Sequence, residues 1–494
     1  MVKKASLAIA LVCMLSAVAF AQEAGQIVGS VRDQSRAVVP NATVTVTEVG
    51  TGQTRTVNTG TSGTFTLPSL RPTTYTVTAE AAGFRAYRQT GVTLLANQSL
   101  TINIAMEVGA VTETVTVAGQ AVQVDTSTST LAEVVDSARI IELPLNGRDA
   151  AKLATLVAGT TMISTSTETG KGIPGNFYLS ANGSGTGQVS YRLDGNSNTD
   201  FYFQLNQEFP FPDALQEFSI QTSGFSAQYG NNAGAVVNAV TKSGTNDLHG
   251  GAFEFVRNRE FNARDFFGAT ADYLKRNQFG AFVGGPVYIP KLYDGKNKTF
   301  FFFGWQGTRL RNINAAKNAL GPTVDELNGN FATCGAPCDK ATIKDAAGIP
   351  YPGKQIPVSQ FDPVAVAFAK TLMPAGLTGT GSYTYQTGVK QDLNQYIMRG
   401  DHQINQNDRL ALRYFFDDFT NAANFDPKNY VSYSNGSGTR VQNANIGEIH
   451  IFSPTVLNDF HFGYVRQNSH RGPPPGVPTF QTLGMTLNQG IPEA

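Results

Sequence analysis

Residues Gln216 to Asn258 read QEFSIQTSGFSAQYGNNAGAVVNAVTKSGTNDLHGGAFEFVRN. Phe218-Ser219-Ile220 has the apolar-polar alternation of a strand with one buried face. A turn is expected at Ala227-Gln228-Tyr229-Gly230, followed by a strand of mostly small residues from Gly234 to Val240. The polar run Thr241-Lys242-Ser243-Gly244-Thr245-Asn246 then leads to His249-Gly250-Gly251, beyond which the segments lengthen. An ordinary strand, turn and strand of a soluble β-protein would read the same way, so the flanking sequence has to decide between the two.

Downstream, Leu410, Leu412, Tyr414 and Phe416 share one face of an expected strand, while Arg409, Arg413 and Asp417 share the other. Phe460, Phe462 and Tyr464 alternate likewise with Asp459, His461 and Gly463. Apolar-out, polar-in alternation is the signature of a strand in an outer-membrane barrel, although a soluble sandwich alternates too. Loop lengths separate the two cases. Strands are expected near 250–257, 277–289, 298–310, 393–404, 409–420, 441–452 and 455–467. The connections between them alternate long (258–276, 311–392, 421–440) and short (Asp294-Gly295, Asn405 to Asp408, Ser453-Pro454). Barrels of this kind keep short turns on the periplasmic side and long loops outside.

Upstream, Lys3 and Lys4, the apolar run Ala5 to Phe20 and the triplet Ala19-Phe20-Ala21 predict a signal peptide over residues 1–21 and export from the cytoplasm. No later stretch reaches 18 consecutive apolar residues, so membrane insertion would require a closed barrel. Charge is balanced at 37 basic and 37 acidic residues without long runs, which argues against nucleic acid as a partner. Of three cysteines, Cys13 lies in the signal, leaving Cys334 and Cys338 for one local disulfide in an oxidising compartment. The 50 glycines and 10% aromatic residues suit strands and tight turns.

Between residues 22 and 108, short alternating segments at Gln26–Val31, Ala42–Thr47, Gly63–Leu67, Tyr75–Ala79 and Leu100–Met106 predict a small β-sandwich. The order GQIVGSVRD, PNATVTV, GTFTLPSLRPTTYTVTAEAAGF resembles the carboxypeptidase regulatory-like domain. The stretch from Gln216 to Asn258 is similar to the junction of plug and barrel in TonB-dependent outer-membrane receptors. Leu143-Pro-Leu-Asn-Gly-Arg148, the helically spaced Leu153, Leu156 and Val157, and Val189-Ser-Tyr-Arg-Leu-Asp-Gly195, a strand ending in an Asp-Gly turn, resemble parts of such a plug. The chain as a whole is similar to Oar-like TonB-dependent receptors.

The expected fold is thus mainly β: a sandwich over 22–108, a linker over 109–130, an α/β plug over 131–246, and the first strands of a large antiparallel transmembrane β-barrel over 247–494. The resemblance implies a barrel of about 22 strands. Seven cannot close one, so the sequence is expected to be the N-terminal part of a larger protein.

Function follows from the same resemblance. It implies energised uptake of a large or scarce ligand across the outer membrane, with the sandwich and linker in the periplasm and a TonB-type inner-membrane protein as partner. The alternative is a surface-binding, adhesion or export protein that keeps the architecture without import. Glu113, Thr114, Val115, Thr116, Val117 and Ala118 resemble the TonB box, an extended segment captured by strand addition. A last strand of the sandwich would read the same way. Phe201, Tyr202, Phe203, Phe209 and Phe211 could face a ligand at the plug apex or pack in the plug core and against the wall. No catalytic role is expected: GxSxG and phosphate-loop motifs are absent, and His249, His402, His450, His461 and His470 include no zinc-binding pair. No cofactor or metal is expected.

Overall fold

A computed structural model of the chain describes residues 25–109, 114–118, 130–162, 178–201, 204–226, 229–230, 232–264, 266, 273–334, 342–453, 456–478, 481 and 484. The expected signal peptide, Glu113, Tyr202, Phe203 and Cys338 lie outside these residues, as do Ala227, Gln228 and most of the expected linker.

The N-terminal strands are β1 (Gly25–Asp33), β2 (Thr43–Glu48), β3 (Thr54–Asn58), β4 (Thr64–Leu70), β5 (Thr73–Glu80), β6 (Ala86–Leu94), β7 (Ser99–Met106) and β8 (Thr114–Ala118). They form two sheets, in the orders β4-β1-β7 and β3-β2-β5-β6-β8. Alternation sends Ile27, Val44, Val46, Val77, Ile102 and Ile104 into one shared core. Gly29 is needed where β1 runs parallel to β7, because a Cβ there would lie 1.8 Å from the Ile102 carbonyl oxygen.

Next come β9 (Leu131–Asp136), α1 (Ser137–Glu142), a 3-10 helix at Ala150–Leu156, β10 (Thr160–Met162), β11 (Leu179–Ala181), β12 (Val189–Leu193), β13 (Asn196–Ser197), β14 (Leu215–Ser223) and β15 (Ala235–Thr241). Five of these strands make a mixed sheet in the order β13-β12-β15-β14-β9. The expected helix after Arg148 is this one short 3-10 turn, started by the Asp149 side chain accepting from the Ala151 amide at 3.0 Å. Tyr191, Phe218, Ile220 and Val237 fill the core of this body together with Leu153.

The remaining long strands are β16 (His249–Asn258), β17 (Lys275–Pro286), β20 (Thr299–Ile313), β23 (Gly388–Gln403), β24 (Asp408–Asn421), β27 (Gly436–Ser453) and β28 (Val456–Gly472). They pair antiparallel in strict sequence order as one seven-stranded wall. Small hairpins decorate the connections: β18 (Tyr288–Ile289) with β19 (Tyr293–Asp294), β21 (Lys317–Leu320) with β22 (Ser382–Tyr385), and β25 (Asn424–Asp426) with β26 (Asn429–Ser434). The longest connection also carries α2 (Val324–Leu327), α3 (Pro363–Leu372) and Cys334, which is held in a disulfide. Long connections gather at one end of the wall and short ones at the other.

Register makes the two faces of the wall explicit. Phe303, Met398, Tyr414, Ala444 and Tyr464 form one cross-strand row, and Phe301, Gly400, Leu412, Ile446 and Phe462 the next. Leu412, Met398, Phe462 and Tyr464 are exposed, whereas Arg413 and Asp417 on the opposite face are buried. Burying charge while exposing leucine and phenylalanine reverses the soluble pattern and fits a wall with lipid on one side and the plug on the other. Among the described residues no helix is long and apolar enough to cross a membrane, which says nothing about crossing by strands.

Candidate functional site

The three bodies meet around Asp194. This residue follows β12 and opens an Asp-Gly turn with both φ angles positive, at 49° for Asp194 and 76° for Gly195, as a type I′ hairpin turn requires. The turn aims the carboxylate at the wall. It accepts from the Thr241 amide at 2.8 Å, from Arg413 Nε at 2.9 Å and from Arg399 Nη1 at 3.3 Å. Arg413 also donates to the Asn443 carbonyl at 2.8 Å, and Arg399 to the Thr241 carbonyl at 2.9 Å. Arg399 reaches further along its own strand, with Nε 3.0 Å from Asp401 Oδ2. Asp401 accepts in addition from Ser243 Oγ at 2.6 Å and from Arg71 of the sandwich.

Charges of alternating sign therefore run Arg71, Asp401, Arg399, Asp194, Arg413. Asp194 is 4% exposed and Asp401 2%. Buried ions persist only when paired and hydrogen-bonded, and removing one partner is strongly destabilising. A cavity of about 70 Å³ opens beside them, lined by Arg71, Arg399, Arg409, Arg413 and His461 among others. Arg71, Asp401, Arg399, Asp194 and Arg413 are already paired with one another, an arrangement that holds bodies together.

A second clamp fastens the start of the plug. Arg148, 8% exposed, pairs with Asp213, donates from Nε to Gln306 Oε1 at 3.1 Å, and places its guanidinium 4.4 Å and 4.3 Å from the ring centres of Phe253 and Phe255. Arg276 Nη2 donates to Asn146 Oδ1 at 2.6 Å and Gln278 Nε2 to the Gly147 carbonyl at 3.0 Å, so the segment Asn146 to Arg148 is stitched to the wall.

The sandwich sits at the short-turn end. Asn246 donates from its backbone to the Gly50 carbonyl at 2.9 Å and from its side chain to the Thr51 carbonyl at 2.7 Å. Tyr229 Oη donates to Asn97 Oδ1 at 3.0 Å, and the Ala96 amide donates to Glu217 Oε1 at 2.9 Å. Burial pushes the Glu217 carboxyl up to about 7, only partly opposed by that amide. Asp136 on β9 and Val240 on β15 stand opposite it in register. If undocking exposes Glu217, its pKa falls back toward the ordinary carboxylate value, so the docked state binds the proton more tightly. Docking is then firmest below about pH 4.5, weakens as pH rises to 7 and is flat above. Protease cleavage of residues 109–130 should accelerate across that window, and Glu217→Gln should remove the dependence; cleavage independent of pH in the parent protein would refute it.

The expected site residues separate. Phe209 and Phe211 do not face outward: Phe209 packs edge-on against Phe218 at 5.7 Å, and Phe211 is 1% exposed beside Phe253 at 5.8 Å. Gly304 of the wall leaves room for Phe211, whose ring would lie 2.7 Å from a Cβ there. Phe201 is 78% exposed. Thr114 to Ala118 form β8, paired in parallel with Ala86 to Thr90 at the edge of the sandwich. The five histidines lie on wall strands. Asp408, Glu448 and His450 bring donor atoms within 4.8 Å of one another, but His450 Nδ1 is already hydrogen-bonded to Asp408. Sequence reading picked out Asp194 as a turn former, Arg413 as an inward residue and Arg148 as the end of a plug motif without a role, and assigned nothing to Arg71 and Arg399.

A polar-lined strand wall with lipid-facing apolar rows, filled by a plug held through buried ion pairs, defines a plugged outer-membrane barrel protein. The chain belongs to the outer membrane beta barrel domain family, whose model matches residues 240–494. Residues 26–107 match the carboxypeptidase regulatory-like domain. The chain is similar to the TonB-dependent transporter Oar of Myxococcus xanthus, with 27% identity over 381 residues covering 75% of this chain and 35% of that protein. It thus spans well under half the length of that relative. Among solved structures it is similar to the siderophore receptor PirA of Pseudomonas aeruginosa (12% identity, TM-score 0.40, 69% of this chain and 41% of that one). It is also similar to the outer membrane transporter YddB of Escherichia coli (12% identity, TM-score 0.40, 65% and 37%).

Proposed function

We propose that the chain works in a TonB-dependent outer-membrane transporter that takes up a large or scarce ligand. Residues 1–21 serve as signal, 22–108 as a periplasmic sandwich, 109–130 as the linker on which a TonB-type protein pulls, 131–246 as plug and 247–494 as barrel wall. The observation that carries this reading is the join between linker and plug. Residues 119–130 lead into β9, which among the described residues pairs only with β14 and forms an edge of the plug sheet. An edge strand of six residues, paired on one side, costs less to detach than a central strand of the same sheet. Force on the linker therefore reaches the plug at an edge strand, while the buried charge centre holds the rest.

Glu113 to Ala118 is the proposed point of capture. Strand addition needs free backbone donors and acceptors, so capture uses the open edge of β8 or displaces β8 from β6. Prolines at Val115 and Val117 remove two of those donors. The purified periplasmic domain of a TonB-type protein should retain the parent protein on a column and should lose the doubly substituted one. Equal retention of both would mean that force does not enter here.

A further inference from the structure

We infer that the sandwich is a latch on the seam between plug and wall, and that Arg71 is the positioning residue through which its docking tightens the hold on the plug. This rests on the charge geometry alone and does not depend on the transport reading. Arg399 is shared between two carboxylates, Asp401 on its own strand and Asp194 on the plug. The two compete for one guanidinium. Arg71 arrives from the other side and neutralises Asp401, so that less of the Arg399 charge is held there and more is available to Asp194. Withdrawing Arg71 leaves Asp401, 2% exposed, with Arg399 and Ser243 Oγ as its partners named above, and draws Arg399 away from the plug. In a water-poor site such competition is strong, because each interaction is poorly screened.

Local structure fixes Arg71 for this task. It lies between β4 and β5 and is followed by Pro72, whose ring restricts Arg71 to extended backbone. Tyr75 Oη donates to the Arg71 carbonyl at 2.9 Å and so ties the bend to the following strand. The neighbouring charges are mixed: Glu48 of the sandwich and Arg409 of the wall line one crevice with Tyr75, Asp194 and His461 line the cavity beside Arg71, and Arg409 opposes the Arg71 cation that Asp401 holds. The contacts of Gly50, Thr51, Ala96 and Asn97 hold the sandwich at separate points and touch none of the five charges. They hold the latch in place without tightening the plug.

The reporter is the Thr241 amide, which donates to Asp194 and makes no bond to the sandwich. Hydrogen exchange of peptides covering Ala239 to Thr241 is to be measured in the detergent-solubilised protein. Arg71→Gln should speed exchange at Thr241 at least tenfold, and Arg71→Lys, which keeps the charge, by much less. Asn97→Ala, which loosens docking at a remote contact, should change it less than twofold. In an Asp401→Asn background Arg71→Gln should add almost nothing, since its target is gone. If Arg71→Gln leaves Thr241 unchanged, or if Asn97→Ala speeds it equally, the sandwich is a passive neighbour and the latch is refuted. Unaltered exchange in the β1 to β7 core of Arg71→Gln separates either result from misfolding of the sandwich.

Discussion

Asp194→Ala is expected to loosen the plug from the wall, at a cost of about 3–5 kcal/mol, the usual penalty for stripping one partner from a buried ion pair. The substitution leaves Arg399 and Arg413 facing each other without their shared carboxylate, and leaves the Thr241 amide without its acceptor. An unsatisfied buried amide alone costs about 1–3 kcal/mol. Asp194→Asn should fall between, because an amide oxygen still accepts one bond but carries no charge. Adding Arg413→Met to Asp194→Ala should recover part of the loss, since an apolar side chain of similar volume needs no counter-ion. The measurement is limited proteolysis of the plug in the purified protein, calibrated by denaturant midpoint. A change in protection below about fivefold, roughly 1 kcal/mol, would show that the charges are not what seats the plug.

How far the sequence anticipated this arrangement depended on whether a residue announces itself through local pattern. The wall was legible because lipid imposes alternation: all seven long strands were expected, in order. Their ends at the long-loop side were expected too short. There β23 begins at Gly388 and β27 at Gly436, in polar stretches with little period-two signal. Strands β3 and β6 were missed in the sandwich. β3, Thr-Arg-Thr-Val-Asn, buries only Val57, and β6 carries Gly91 at positive φ beside an irregular pairing with β5, which breaks the alternation. Phe201 to Phe211 looked like one aromatic patch, yet tertiary packing divided it, with Phe209 and Phe211 buried and Phe201 exposed.

The charge centre was the least legible part. Arg71 and Asp401 lie 330 residues apart, and Arg413 and Asp194 219 apart, so no spacing rule connects them. The usable signal was narrower. An arginine on a strand that alternates with lipid-facing residues must point inward and must find a carboxylate there. Applied to Arg399 as well as Arg413, that rule calls for acidic residues on the plug, and Asp194 in its Asp-Gly turn is a natural candidate. The turn chemistry that made Asp194 recognisable supplied one reason for an aspartate at that position, and its role as a counter-ion supplied another.

The second large effect concerns how the plug yields to force. Pulling on residue 130 should first peel β9 from β14, then unwind α1, whose hold is the buried Ile140, and stop where Asn146, Gly147 and Arg148 are stitched to the wall. Residues 131 to 145 have an extended length of about 50 Å at roughly 3.3–3.6 Å per residue, and freeing them lengthens the chain by that amount less the distance they span when folded. Single-molecule extension of the reconstituted protein from a handle at Thr130 should show one step of about that size, and then a plateau at higher force. Leu131→Cys with Ser223→Cys joins two residues that are register partners at the exposed end of the β9–β14 pair. In the oxidised form the first step should vanish, and reductant should restore it. Arg148→Ala should instead leave the first step in place and merge it with the next, because the guanidinium that joins Asp213, Gln306, Phe253 and Phe255 is lost. If the stapled and unstapled proteins extend alike, β9 is not where the plug begins to open, and force must act on the plug as a rigid whole.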